Sequence, residues 1–173
     1  MLYGVKNPHG GGYYRAALRF DFSSNVNPLG TPPGVIAAIC DAAQHVAQYP
    51  DVYCRDLTAA IAAHENVPEG YIFCGAGAAE LIYAYCDALR PERVMELAPT
   101  FSEYGAAARH FGAQVLCHPL ERGSGFAVDD SLLTAIADEK PDMLFLCTPN
   151  NPTGMTIARP LLEAVLSLCR KQE

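Results

Sequence analysis

The sequence is poor in positive charge and has no apolar run long enough to span a membrane. Its 12 Lys and Arg residues stand against 19 Asp and Glu, a formal net charge of −7, and the basic residues cluster nowhere. That leaves no electrostatic footprint for nucleic acid or an anionic membrane surface, so neither partner is expected. Among the seven cysteines there is no Cys-x-x-Cys pair, and the odd count argues against zinc or a disulfide framework; no metal is expected. Cys40, Cys74, Cys86, Cys147 and Cys169 lie in apolar segments and are expected to be buried, reduced thiols. Residues Met1 to Gly12 are polar and glycine-rich, unlike a signal peptide, so a cytoplasmic location is expected. No internal repeat or low-complexity tract is present.

What the chain does have is apolar content. Half of its 173 residues are hydrophobic, enough for one compact lobe with a real core and too little for two ordinary domains. The most informative stretch is Met143 to Cys147, five consecutive apolar residues between Pro141-Asp142 and Thr148-Pro-Asn-Asn-Pro-Thr-Gly154. Such a run reads as a short strand buried on both faces, the kind found in parallel sheets. In open α/β sheets ligands bind beyond the carboxyl ends of the strands, which is where Asn150, Asn151, Thr153 and Gly154 fall. A side-chain amide there can donate to an anionic oxygen, and Gly154 permits a positive φ or a close approach.

Taken in order, residues 1 to 30 are too rich in Gly, Pro, Asn and Ser for regular structure and read as an extended arm. Pro32-Pro33 opens a helix to Gln48. A second helix runs from Asp56 to Glu65. From Tyr71 strands and helices alternate, with strands at Tyr71–Cys74, Arg93–Ala98, Gln114–Cys117 and the run at 143–147. Helices fall at Ala78–Leu89, Ser102–Phe111, from a cap at Asp130 or Ser131 to Ala137, and at Arg159–Arg170. This alternation predicts an α/β fold with a mainly parallel sheet and helices on both faces. The domain reading is an arm and first helix at 1–48 and an α/β domain at 49–173.

Gly75-Ala-Gly-Ala-Ala79 sits between a strand and a helix. Small residues there let N–H groups at the helix N-terminus converge on an anion, where the helix dipole also favours negative charge. A tight turn with nothing bound has even weight for this segment alone. The rival ligand is a dinucleotide, with Gly75-x-Gly77 as the start of its fingerprint and Glu96 as the ribose-binding acid. Against it, Glu80 stands where the third glycine is needed. At the end of the next strand Pro99 holds Phe101, whose ring could stack on a flat heterocycle.

Together these words resemble the class I/II pyridoxal-phosphate enzymes of the aspartate aminotransferase fold, fold type I. Within them they look most like the threonine-phosphate decarboxylase and histidinol-phosphate aminotransferase branches. The matching words are His9-Gly-Gly11, Asp21-Phe-Ser-Ser-Asn-Val-Asn-Pro-Leu-Gly30, Tyr49-Pro-Asp51, Gly75-Ala-Gly-Ala-Ala-Glu80, Pro99-Thr-Phe101 and Pro149-Asn-Asn-Pro-Thr-Gly154, in family order. The resemblance implies that Gly75, Ala76 and Gly77 bind the phosphate of pyridoxal 5'-phosphate, with N–H groups from the last two. Phe101 would stack on the pyridine and Asn151 would bond its phenolic oxygen. Tyr49 would reach the phosphate in a neighbouring subunit, which implies a homodimer. Asn25, Asn27 and Gly30 would border a small phosphorylated amino-acid-type substrate, and His9 would meet its phosphate.

The family's catalysis also needs a Schiff-base lysine, an aspartate for the pyridinium nitrogen and an arginine for the substrate carboxylate. The lysines here, Lys6, Lys140 and Lys171, all read as solvated surface residues, so no catalytic residue is assigned. The expectation is an N-terminal portion of an aminotransferase or amino-acid decarboxylase, with a partial large domain and no activity alone. It would pair with a second copy or with a complementing C-terminal chain. The alternatives are a non-catalytic module that binds a phosphate ligand or a partner chain, or a dinucleotide-binding domain.

Overall fold

The computed structural model describes residues 19–170, so His9, Lys6 and Lys171 lie outside the described residues. Contacts divide the chain into two compact units between Cys74 and Gly75, further along than the boundary drawn from sequence after residue 48.

The first unit is helical. Helix α1 spans Pro33–Ala42, opened by a proline in its first turn, and a single 3-10 turn continues it over Ala43–His45. Val35, Ile36 and Ile39 recur on this helix, yet α1 has no buried residue. Helix α2 spans Arg55–Glu65. Its start is fixed by Asp51, whose carboxylate accepts the Tyr53 and Arg55 N–H groups at 3.1 and 3.0 Å, and these bonds lower its pKa. The α2 end is set by Asn66 in the left-handed region, a position that asparagine tolerates well. The strand expected at Tyr71–Cys74 is absent. Glu69–Tyr71 is a 3-10 turn and residues 72–74 have no ladder partner. The alternation that suggested a strand is real, with Tyr71 and Phe73 exposed and Ile72 and Cys74 half-buried. A strand, however, needs a neighbour for its N–H and C=O groups.

The second unit is a three-layer α/β arrangement. Helix α3 (Gly77–Leu89) leads to strand β1 (Arg93–Ala98), then α4 (Glu103–His110), β2 (Gln114–Pro119), α5 (Ser131–Glu139), β3 (Met143–Phe145) and α6 (Arg159–Cys169). The sheet order is β2-β1-β3 and both pairings are parallel, as expected from the alternation of elements. β1 is central, and its side chains alternate between two cores. Met95 and Leu97 face a cluster with Leu132, Ile136, Leu161 and Val165 from α5 and α6. Val94 faces Ala108 and Ala113. On that same face Ile82 and Cys86 of α3 and Ala107 of α4 pack against Phe101, Tyr104 and Phe145. β3 is an edge strand, so the apolar run at 143–147 is half-buried rather than enclosed on both faces.

Two local details differ from the sequence reading. Asp130 is the N-cap of α5, one of the two expected positions, but its side chain makes no cap bond, and the N-terminus is held by Asp129 just before it. The Asp129 carboxylate accepts the Ser131 N–H at 2.9 Å and the Ser131 hydroxyl at 2.5 Å, and those bonds lower its pKa. All seven cysteines are free, but only Cys86 is buried; Cys40 and Cys117 are exposed and the others intermediate. Among the described residues no helix is long and apolar enough to cross a membrane.

The first unit leaves large apolar side chains in solvent, with Phe22 at 94%, Leu29 at 93% and Tyr49 at 90% exposure. Contiguous exposed apolar surface drives association. The purified chain should therefore self-associate on size-exclusion chromatography or enhance the emission of a hydrophobic dye. A sharp monomer peak with no dye response would contradict this.

Candidate functional site

Three elements supply the predicted site residues of the second unit: the start of α3, the loop after β1 and the loop after β3. At the first, Ala76 adopts φ −75°, ψ 63°, and the Gly77 N–H donates to the Gly75 carbonyl at 2.8 Å, an inverse γ-turn. Gly77 then enters the helix at φ +85°. A Cβ on Gly75 would sit 2.7 Å from the Leu81 side chain and 2.9 Å from the Glu80 carboxylate, so a larger residue there would have to push both side chains aside. The Ala76 N–H donates to that same Glu80 carboxylate. A cradle for an anion is thus built and already holds one, the protein's own. The N–H groups of the first α3 turn have no carbonyl four residues back within the helix, so the dipole end remains available to a phosphate that displaces Glu80. The residues fit a phosphate group on that condition.

At the end of β1, Phe101 is half-buried and meets the Tyr104 ring edge-on, 5.6 Å between centroids. Tyr104 in turn stacks on Phe145 at 4.7 Å. Burial, then a hydrogen bond with Cys147, pushes the Tyr104 hydroxyl up to about 12, so it stays protonated and can donate at neutral pH.

At the end of β3 the loop closes on itself. Gly154 takes φ +74° and its N–H donates to the Asn150 carbonyl at 2.7 Å. Of the two alternatives read for this glycine, positive φ is the operative one, since no atom lies within 4 Å of a built Cβ. The peptide bonds before Pro99, Pro149 and Pro152 are cis. Asn151 is half-buried, and its N–H donates to the Cys147 sulfur at 3.5 Å, while the Cys147 thiol donates to the Pro149 carbonyl at 3.3 Å.

Sequence reasoning missed the role of Asn150. It is 3% exposed, accepts from Thr100 Oγ1 at 2.8 Å, and donates to the Pro99 carbonyl at 3.0 Å and Thr153 Oγ1 at 2.9 Å. It therefore ties the Phe101 loop to the Asn151 loop. The sequence offers two adjacent asparagines but no signal for which of them turns inward.

The remaining predicted residues belong to the first unit. Tyr49 and Asn25 are exposed. Asn27 and Gly30 close a turn between themselves, with Gly30 N–H donating to the Asn27 carbonyl at 3.0 Å and the Asn27 amide donating to the Gly30 carbonyl at 3.2 Å. Of the lysines, Lys140 is described. It is exposed at the left-handed end of α5.

Glu96, the acid of the dinucleotide alternative, is spent internally. It is 9% exposed in the middle of β1, beneath Gly105 of α4, where a Cβ would lie 2.6 Å from its carboxylate. It accepts from the Cys117 thiol at 3.7 Å. No ribose can reach it, which removes the main support for a dinucleotide domain. Burial raises its pKa, offset in part by Arg109, Cys117 and the Gly105 N–H. A folded pKa above the unfolded one means the native state holds the proton more tightly. Stability should thus fall as pH rises from about 4.3 through the folded pKa. Replacing Glu96 with Gln should flatten that part of a stability–pH curve measured by urea unfolding. Parallel curves for the two proteins would refute it.

Residues 19–173 match the family model described as Aminotransferase class I and II. The threonine-phosphate decarboxylase of Salmonella typhimurium is 38% identical over 170 residues, 94% of this chain and 46% of that protein. The histidinol-phosphate aminotransferase of Roseiflexus castenholzii is 38% identical over 152 residues, 84% of this chain and 40% of that protein. The chain thus spans less than half the length of these curated relatives, consistent with an N-terminal portion of such an enzyme. Among solved structures, the histidinol-phosphate aminotransferase of Clostridium acetobutylicum superposes with a TM-score of 0.74 at 28% identity, covering 86% of this chain and 43% of that one. The Sinorhizobium meliloti histidinol-phosphate aminotransferase, solved in complex with pyridoxal-5'-phosphate, gives 0.77 at 22% identity, covering 86% and 41%, a likeness of fold. A parallel sheet flanked on both faces, glycines opening α3 and two loops meeting at one sheet edge thus accompany a family match over all the described residues, and the chain belongs to the class I and II aminotransferases.

Proposed function

We propose that this chain is the N-terminal portion of a pyridoxal-phosphate-dependent aminotransferase or amino-acid decarboxylase that acts on a small phosphorylated amino-acid-type substrate. The observation that best supports this is the tie made by Asn150, which holds a ring-bearing loop and an amide-bearing loop together at the carboxyl edge of one parallel sheet. When bound, pyridoxal phosphate supplies an electron sink for bonds at the substrate α-carbon.

The chain's own residues bind and orient. The α3 N-terminus takes the phosphate at Gly75, Ala76 and Gly77. Phe101 covers the ring face, where Tyr104 and Phe145 back it and keep water away. The Asn151 amide donates to the phenolic oxygen. Tyr49 serves the phosphate of a second copy, while Asn25, Asn27, Gly30 and His9 border the substrate. None of these moves a proton at the α-carbon, and no Ser-x-x-Lys occurs in these 173 residues. The chain on its own is therefore proposed to be inactive.

A second reading, one half of a split enzyme that docks on a complementing chain, is favoured by the exposed apolar side chains of the first unit. A neighbouring reading frame carrying the Asp, Ser-x-x-Lys and Arg motifs would support it.

Titration with pyridoxal phosphate, followed by absorbance, should give weak, reversible and saturable binding that Asn151→Ala weakens. Borohydride reduction should leave no stoichiometric lysine label. Stoichiometric labelling at one lysine, or binding indifferent to Asn151→Ala, would overturn the assignment. Glu80 competes with the phosphate for the Ala76 N–H and repels it, so Glu80→Gln should tighten binding by about three- to tenfold. Weaker binding in that variant would mean that the carboxylate supports the cradle instead of filling it.

A further inference from the structure

The sheet does not by itself set the spacing between the two candidate contact residues. The β1–β3 ladder ends at the pair Glu96↔Phe145. Beyond that pair β1 continues only alongside β2, and the chain after β3 leaves the ladder. Phe101 and Asn151 each lie several residues past this last backbone link. Loops with no shared backbone bonds drift independently unless side chains join them.

Asn150 and Thr100 make that join. Each is the residue immediately before a candidate contact, Thr100 before Phe101 and Asn150 before Asn151. The Asn150 carbonyl oxygen accepts the Thr100 hydroxyl, and both its amide protons go to Pro99 and Thr153. No donor is left for a ligand. The loop is braced a second time from below, where Cys147 takes the Asn151 N–H and gives its own proton to the Pro149 carbonyl. The Asn151 backbone is thereby fixed from two sides.

We propose that Thr100 and Asn150 are positioning residues, a clamp of one half-buried and one buried side chain that fixes the ring of Phe101 relative to the amide of Asn151 so that one flat heterocycle can meet both. This rests on the reading that Phe101 and Asn151 contact pyridoxal phosphate. Neither clamp residue touches the cofactor. Their effect is to spare binding the cost of ordering two loops.

Thr100→Val removes the hydroxyl and keeps the shape, whereas Thr100→Ser keeps the hydroxyl. Two measurements on the whole chain decide the matter, amide hydrogen exchange of segments 98–104 and 148–155, and pyridoxal phosphate affinity at a temperature where every variant is folded. In Thr100→Val both segments should exchange faster together, and the Kd should rise about three- to tenfold, the weight of one net hydrogen bond. Thr100→Ser should restore both. Unchanged exchange at 148–155 in Thr100→Val would refute the clamp. Faster exchange with an unchanged Kd, while Asn151→Ala still weakens binding, would make the clamp purely structural and refute positioning. If Asn151→Ala also leaves the Kd unchanged, the cofactor reading fails and takes the positioning role with it, while the exchange data still decide whether the clamp exists.

Discussion

The architecture of the second unit depends on β1 being buried along its length. Val94, Met95 and Leu97 are each at most 2% exposed, because helices cover both faces and strands flank both edges. A strand so enclosed leaves no freedom in register, since a one-residue slip would exchange the inward-facing sets of both cores. Its carboxyl end is therefore a fixed point. The loop that follows, with Pro99, Thr100 and Phe101, starts from that point, and the loop after β3 is referred to it through Asn150. The polar insertion on this strand, Glu96, is tolerated because the Gly105 N–H, Cys117 and Arg109 surround it. A buried carboxyl without such partners would cost several kcal/mol.

How far the sequence foretold this varies with how local the cause is. β1 was legible residue for residue, because Pro91 and Glu92 stop α3 before it and Pro99 ends it. Helices α2 to α6 were legible within a residue or two of their ends, because 3.6-residue spacing and end signals agree. Tyr71–Cys74 was misread because strand periodicity says nothing about whether a partner exists. The same limit applies to the 143–147 run, whose composition suits a central strand although topology makes it an edge. Asp130 is the α5 N-cap, as read, yet the side chain that bonds the helix end is that of Asp129, because which neighbouring polar side chain turns in depends on the loop's path, which spacing does not encode. The inward turn of Asn150 was likewise invisible, since it depends on a threonine fifty residues away.

The α3 N-terminus shows how a helix end proposed to take a phosphate is satisfied from within the chain. Exposed first-turn N–H groups need an acceptor, and a glycine-rich entry offers no side chain of its own to provide one. Glu80, one turn into the helix, reaches back to the Ala76 N–H and supplies it. A negative charge there also interacts favourably with the helix dipole, so the helix end held by Glu80 need not fray. The consequence is that anion binding at this point is an exchange of one acceptor for another and not a gain of a new bond. Net affinity must then come from the difference between a dianion and a carboxylate in the same dipole field, together with whatever the ring and amide contacts add. A phosphate offers more acceptor oxygens and about twice the charge, whereas Glu80 is tethered and costs no translational entropy to bring into place. The two opposing terms make the phosphate contact alone weak. On the proposed reading, a ligand held here would be recognised as a whole, through its phosphate, its ring face and its oxygen together. On that reading the spacing of the β1 and β3 loops, tied through Asn150, would matter more to recognition than any single donor in the cradle.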